Sequence, residues 1–146
     1  MKKAIFPGSF DPFTKGHFDI VNRALPLFDE IIIGIGSNTT KQYLLPLTQR
    51  IEQIEILFKD NSKIKVVTYE GLTTAFAEKM NCNFIVRGIR NTIDFEYEKS
   101  IAEMNKKMNP NIETIFLNCS PDLASISSTI VREILKSGGD VSQFLP

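Results

Sequence analysis

The sequence has no tryptophan, a single histidine and only two cysteines. Cys82 and Cys119 lie far apart and form no CxxC pair, so there is no donor set for a structural zinc site. Two reduced thiols of a cytoplasmic protein are the simpler reading. Net charge is missing too: 17 Lys and Arg offset 17 Asp and Glu. Proteins that grip nucleic acid or an anionic membrane usually carry a basic excess, so neither partner is expected. The longest apolar run, "IIIGIG", falls far short of the roughly 20 residues a bilayer requires. "MKK" is followed by too short an apolar run before Pro7 for a secretory leader. There is no GxxxxGK(S/T) loop and no GxGxxG fingerprint, which argues against a Walker-type NTPase and a standard dinucleotide binder. No GxSxG elbow accompanies the histidine, and no carboxylate pair suggests glycosidase chemistry.

What is present is an ordinary globular composition, 42% apolar and 23% charged, over 146 residues. That length suits one domain spanning 1–146 with a sizeable core. Strand-like and helix-like stretches alternate along it. "KKAIF" is β-rich, and Phe18, Val21, Leu25 and Phe28 then form a helical stripe over 17–28. "EIIIGIG" (30–36) reads as a strand buried on both faces. Leu47, Ile51, Ile54 and Phe58 mark a second helix, with Thr48 placed to cap it. "KIKVVTY" (63–69) is a third strand, and "LTTAFAEKM" a short helix with Thr73 or Thr74 at its start. "NFIVRG" (83–88) is a fourth strand. Ile93, Tyr97, Ile101, Met104 and Met108 space out a long helix, stopped by Asn109-Pro110. "ETIFLN" (113–118) is a fifth strand, and "SSTIVREILKSGG" (127–139) a helix opened by hydroxyls and closed by glycine.

Five such alternations with short connections predict an α/β protein: a Rossmann-like, doubly wound, five-stranded parallel sheet with helices on both faces. Ligands of such sheets bind beyond the carboxyl ends of the strands, near a topological switch point. The loops to inspect are therefore 7–16, 37–46, 69–73, 87–92 and 118–127.

The first of these, "PGSFDPFTKGH", carries Ser9, Asp11, Thr14 and Lys15 and ends on the lone histidine. Thr14 can cap the following helix, with His17 in its first turn. A helix N-terminus presents free N–H groups and a positive dipole end, which suits phosphate. A turn with a surface histidine at a helix start is the plainer alternative. In the fourth loop, Arg87 and Arg90 flank a glycine at a strand end. They suit two phosphate groups, or else pair with Asp94, Glu96 or Glu98. In the fifth, Ser127, Ser128 and Thr129 open a helix and make a second phosphate cradle of the same kind. Arg132 follows one turn on. The second loop contributes Lys41, which read alone is an exposed lysine.

Two motifs carry a resemblance. "TKGH" (14–17) is similar to the (H/T)-x-G-H motif of nucleotidylyltransferases, and "ISSTIVR" (126–132) to their second motif, I-S-S-(S/T)-x-(V/I)-R. With "PGSFDPFTKGHFDIVNRA", "VRGIRNTIDFEYE" and "GDVSQFLP" the whole chain resembles the bacterial phosphopantetheine adenylyltransferase family. The resemblance implies transfer of AMP from ATP to 4'-phosphopantetheine, giving dephospho-coenzyme A and pyrophosphate, assisted by Mg2+, in a cytoplasmic homohexamer. It implies that His17 stabilises the transition state and that Lys41 bridges acceptor and α-phosphate. Ser9 and Phe10 match positions that meet the substrates. Lys41 and Arg87 match residues that hold the acceptor phosphate, and Thr73 a pantetheine contact. Gly88, Ile89, Arg90 and Glu98, and the run Leu123, Ala124, Ser125, Ile126, Ser127, Ser128 and Thr129, match ATP-binding positions. Leu123 stands where many relatives have an aromatic. Family members usually continue beyond "QFLP" into a further helix. An anionic phosphate nucleophile needs no general base, so cations and N–H donors are the groups the chemistry requires.

Overall fold

A computed structural model describes residues 1–38 and 40–146. Five parallel strands, β1 (Lys3–Gly8), β2 (Glu30–Gly36), β3 (Ile64–Tyr69), β4 (Phe84–Ile89) and β5 (Glu113–Asn118), lie in the order β3-β2-β1-β4-β5. The five α-helices are α1 (Lys15–Ala24), α2 (Leu47–Phe58), α3 (Thr73–Lys79), α4 (Thr92–Met108) and α5 (Ser128–Lys136). The chain winds outward from β1 in one direction through β2 and β3, then returns to β4 on its other side. The switch point is therefore between β1 and β4, and residues 9–14 leave the sheet there.

Strand side chains alternate between faces, and the core splits accordingly. Ala4, Phe6, Ile31, Ile33, Ile35 and Val86 face a cluster completed by Ile20 and Val21 of α1 and Ile54 and Phe58 of α2. Ile5, Ile32 and Ile85 point the other way, against Phe76 and Ala77 of α3 with Cys82 and Ile112. Ile31, Ile32 and Ile33 are wholly buried, each worth about 1.5–3 kcal/mol of apolar transfer. Gly88 lets α1 press onto β4: a Cβ there would stand 3.0 Å from the Ile20 side chain.

The expected elements all form, with three differences. Helix α1 ends at Ala24, and Leu25–Leu27 is a 3-10 turn. Pro26 lacks an N–H and cannot continue an α-helix, so Phe28 reaches the core from extended backbone. Thr48 does not cap α2; Pro46 occupies the cap position, its carbonyl accepting from the N–H groups of Gln49 and Arg50. Neither Thr73 nor Thr74 caps α3, which follows Leu72, and the Thr73 hydroxyl meets the Tyr69 hydroxyl instead (3.1 Å). Arg87 and Gly88 lie in β4, as the strand read over 83–88 has them, and the loop follows Ile89. Helix α4 also turns its stripe outward: Ile93 is 78% exposed, Tyr97 69% and Met104 56%. Its aromatic contact with the sheet is Phe95 on Phe116, ring centroids 5.8 Å apart.

Candidate active site

Past Gly8, where β1 ends, the chain leaves the centre of the sheet with few backbone partners, and buried carbonyls must be satisfied. Side chains from three other elements supply the donors. Arg87 Nη1 of β4 donates to the Pro7 carbonyl (2.5 Å), Arg50 Nη1 of α2 to that of Ser9 (2.8 Å), and Arg132 Nη1 of α5 to that of Asp11 (3.0 Å). Ser128 Oγ donates to the Pro12 carbonyl (2.8 Å) and Gln53 Nε2 to that of Phe13 (3.0 Å). Phe10 sits in the left-handed region, φ 49°, a strained setting for a non-glycine residue. Its 3%-exposed ring packs against Phe6, Phe13 and His17 and pins it there. The same ring passes Gly8 so closely that a Cβ would meet it at 2.9 Å.

Thr14 caps α1 as its hydroxyl predicted, and the capping box is completed by an imidazole. The His17 N–H donates to Thr14 Oγ1 (3.4 Å), and the Thr14 N–H donates to His17 Nδ1 (3.0 Å). Because Nδ1 accepts, the proton of the neutral ring resides on Nε2. Burial, and then the positive charges of Arg87 and Arg90, hold the His17 pKa down from 6.5 to about 3. His17 is thus a neutral imidazole at physiological pH with one N–H left to donate.

The two arginines of β4 and the turn after it are each gripped by α4. Glu98 takes the Arg87 guanidinium side-on, at 2.9 Å from Nε and 2.6 Å from Nη2. Asp94 does the same for Arg90, at 2.9 Å and 3.2 Å. The Arg90 hydrogen bond holds the Asp94 carboxyl below its usual range. The acid-paired alternative read from the sequence is therefore the observed arrangement. A phosphate has to share or displace these carboxylates. Helix α5 begins as expected: Ser127 caps it through the Ile130 N–H (3.1 Å).

Two cavities open on these groups. The larger, 580 Å³, runs past Ser9, Lys41, Tyr69, Thr73, Arg87 and Asn105. The smaller, 320 Å³, is walled by His17, Arg90 and Ser127, Ser128 and Thr129. They share Pro7, Gly8, Ser9, Lys41, Arg87 and Glu98. Lys41 Nζ donates to Ser9 Oγ (3.2 Å) on this common wall. Among the described residues no three His, Cys, Asp or Glu side chains cluster to hold a metal ion.

The four residues expected to hold the acceptor, Ser9, Lys41, Thr73 and Arg87, all line the larger cavity. Of the expected nucleotide positions, Ser9, Phe10, His17, Gly88, Arg90 and Glu98 line the smaller one, with Ile126, Ser127, Ser128 and Thr129. Ile89 lies buried in β4, while Leu123, Ala124 and Ser125 precede α5 outside the cavity lining. Sequence reasoning missed Arg50, which is only 2% exposed, and Asn105 in the larger cavity; Tyr69, also in that cavity, entered only as the first residue of the loop 69–73. Arg50 stands three places after Leu47 and four before Ile54, at helical spacing beside the apolar stripe, where a charged residue reads as flanking it. Asp11, 3% exposed, was visible only as a loop acid.

Comparison with known proteins follows the same lines. The cytidylyltransferase-like family pattern matches residues 5–134. A phosphopantetheine adenylyltransferase of Bacteroides thetaiotaomicron is 55% identical over 146 residues, covering 100% of this chain and 96% of that one. Its counterpart from Flavobacterium johnsoniae is 52% identical, covering 100% and 95%. A bifunctional NMN adenylyltransferase/ADP ribose pyrophosphatase from Francisella tularensis shares the fold, with a TM-score of 0.71 at 18% identity over 99% of this chain and 44% of that one. Matched over its full length at better than half identity, the chain belongs to the phosphopantetheine adenylyltransferase family.

Proposed function

We propose that this site transfers AMP from ATP to 4'-phosphopantetheine by direct in-line attack, with no covalent enzyme intermediate. The chain is an adenylyltransferase of coenzyme A synthesis. The observation that carries the mechanism is the common wall: two cavities meet at Ser9, Lys41 and Arg87, so the terminal phosphate of one ligand can face the α-phosphate of the other. The larger cavity takes 4'-phosphopantetheine, its phosphate on Lys41 and Arg87 and its arm past Thr73. The smaller takes ATP, with the helix start at Ser127, Ser128 and Thr129 and Arg90 holding the outer phosphates.

The acceptor phosphate is already anionic, so no base is needed to activate it. The task is to juxtapose two polyanions and offset charge as the α-phosphorus becomes five-coordinate. His17 contributes its Nε2–H as a neutral donor to the α-phosphate. Lys41 bridges the attacking and receiving phosphates. The carboxylates in the smaller cavity are already engaged, Glu98 and Asp94 by arginine and Asp11 by two backbone N–H groups. Mg2+ would therefore be held by the nucleotide's phosphates rather than by these carboxylates, and would supply charge neutralisation for the leaving pyrophosphate.

The chain works as a homohexamer in the cytoplasm. In support, α4 turns Ile93, Tyr97 and Met104 outward, an apolar face that a second copy can cover. Both cysteines are free, as expected in a reducing compartment, and among the described residues no helix is long and apolar enough to cross a membrane. The reaction is tested by mass detection of the product with 4'-phosphopantetheine, nicotinate mononucleotide or glycerol phosphate as acceptor. Dephospho-coenzyme A from the first, and no adduct from the others, is the expected result. Preferential adenylylation of either alternative would overturn it.

A further inference from the structure

Arg50 is a buried cation without a carboxylate partner among the described residues, although the reaction proposed above takes place in loops to which α2 does not belong. Its fork is divided between two loops. Nη1 donates to the Ser9 carbonyl at 2.8 Å and Nε to the Leu45 carbonyl at 3.2 Å. The Leu45 N–H, on the other side of that residue, donates to Asp11 Oδ1 at 2.8 Å, and the Leu44 N–H to Asp11 Oδ2 at 2.9 Å. Ser9, Asp11, Leu45 and Arg50 thus close a ring of hydrogen bonds between the first and second strand-end loops. The guanidinium also lies 4.0 Å from the centre of the Tyr43 ring, whose other cationic neighbour is Lys41, at 5.5 Å. The Tyr43 hydroxyl accepts from the Asn38 N–H (3.0 Å) and donates to the Gly36 carbonyl (3.3 Å), fixing the ring to the end of β2.

We infer that Arg50 is a positioning residue for the transfer step: with Asp11 and Tyr43 it sets the separation of Ser9 and Lys41 on the wall between the two cavities. It rests on the reading of the site given above and adds a residue no substrate touches. Burying an unpaired guanidinium is costly, and two carbonyls of one loop could be served by a neutral donor. A rigid planar fork is required where two acceptors belong to different loops and their spacing matters. Lysine, a point charge on a flexible stem, keeps the cation but loses the fork.

The inference predicts a pattern beyond a loss of stability. Arg50→Lys lowers kcat by about 30- to 100-fold, the effect of misplacing a reacting group by about an ångström. It raises the KM for 4'-phosphopantetheine several-fold and leaves ATP affinity, read by calorimetry, within about twofold. If Arg50 acts through Lys41, the two losses are not additive: in a Lys41→Ala background, Arg50→Lys costs less than about threefold further. Should Arg50→Lys fold poorly, Tyr43→Leu removes the ring between the two cations and leaves the helix intact. It gives the same split at about a tenth of the size. Additive losses in the double variant, or ATP and acceptor affinity falling together with kcat unchanged, would overturn the inference and leave Arg50 a structural brace. Wild-type enzyme that binds both ligands and makes no dephospho-coenzyme A would overturn the reaction instead. In that case the ratio of acceptor to ATP affinity in Arg50→Lys still reads the positioning effect, and an unchanged ratio sinks it.

Discussion

Residues 7–13 and helix α4 both line the reaction site, yet they are held in opposite ways. The first stretch is short, irregular and bound from within the chain, its carbonyls taken up by Arg87, Arg50, Arg132, Ser128 and Gln53. Helix α4 is the longest regular element, yet none of its residues is buried, and its most apolar side chains face outward. Inward it offers Asp94 and Glu98 to the two arginines. The site's geometry is thus stored in polar bonds inside one chain, whereas the proposed assembly rests on the exposed apolar surface of α4. Positioning and assembly reside on different groups, and variants can separate them.

The largest effect should come from the first stretch. His17→Ala removes the neutral N–H donor proposed to meet the α-phosphate, so kcat falls by about 10²- to 10³-fold, as when an oxyanion donor is deleted. ATP affinity stays within a few-fold by calorimetry, and sedimentation is unchanged. Full activity would erase the contrast. Next comes Arg87→Ala, which takes a charged donor from the acceptor phosphate and raises its KM by about 10- to 100-fold. The effect on the ATP KM stays below about threefold, because Arg90 and α5 remain. Steady-state kinetics with each substrate varied decides it.

A smaller effect is read as pH dependence. The folded pKa of His17 is depressed to about 3 against 6.5 unfolded. Between these values the unfolded chain binds a proton that the folded chain does not. The His17 contribution to stability is therefore fully present above pH 6.5 and falls as pH drops toward 3. Relative to His17→Gln, the wild-type thermal midpoint should decline from pH 7 to pH 4.5. The single imidazole should show no NMR titration from pH 5 to 8. A midpoint near 6.5 would mean that the ring is solvated and its Nδ1 bond broken. The smallest kinetic effect belongs to α4. Ile93→Glu should dissociate the proposed assembly in sedimentation while per-chain kcat changes by less than about threefold, because Ile93 is exposed and lines neither cavity. A monomeric wild type, or an Ile93→Glu variant that sediments as wild type, would remove the role given to that face.

Much of this was legible in the sequence because it is local. Strand β2 shows as a β-branched run and Thr14 and Ser127 as caps, whereas the stripe over 17–28 hid the stop that Pro26 imposes on α1. The alternation of elements marked five strand-end loops, 7–16 among them, but only the strand order shows that this one leaves the sheet at the switch point. Periodicity also found α4, but period says which residues share a face and nothing about what covers it. Ile93 and Tyr97 mark the periodic stripe of the helix, and the structure leaves both on its surface. Arg50 was hidden for a related reason. Its partners, Ser9 across 41 positions and Leu45 across five, belong to loops whose conformation no pattern encodes. The pairing of Arg87 with Glu98 was one of two readings, and only the docking of α4 on β4 selects it.

The most direct test of the shared wall is pyrophosphate release from MgATP measured with and without 4'-phosphopantetheine, with dephospho-coenzyme A followed by mass. Direct transfer between adjoining cavities predicts no release without the acceptor, and one pyrophosphate per dephospho-coenzyme A with it. One equivalent released before the acceptor is added would reveal an adenylylated enzyme and contradict the account.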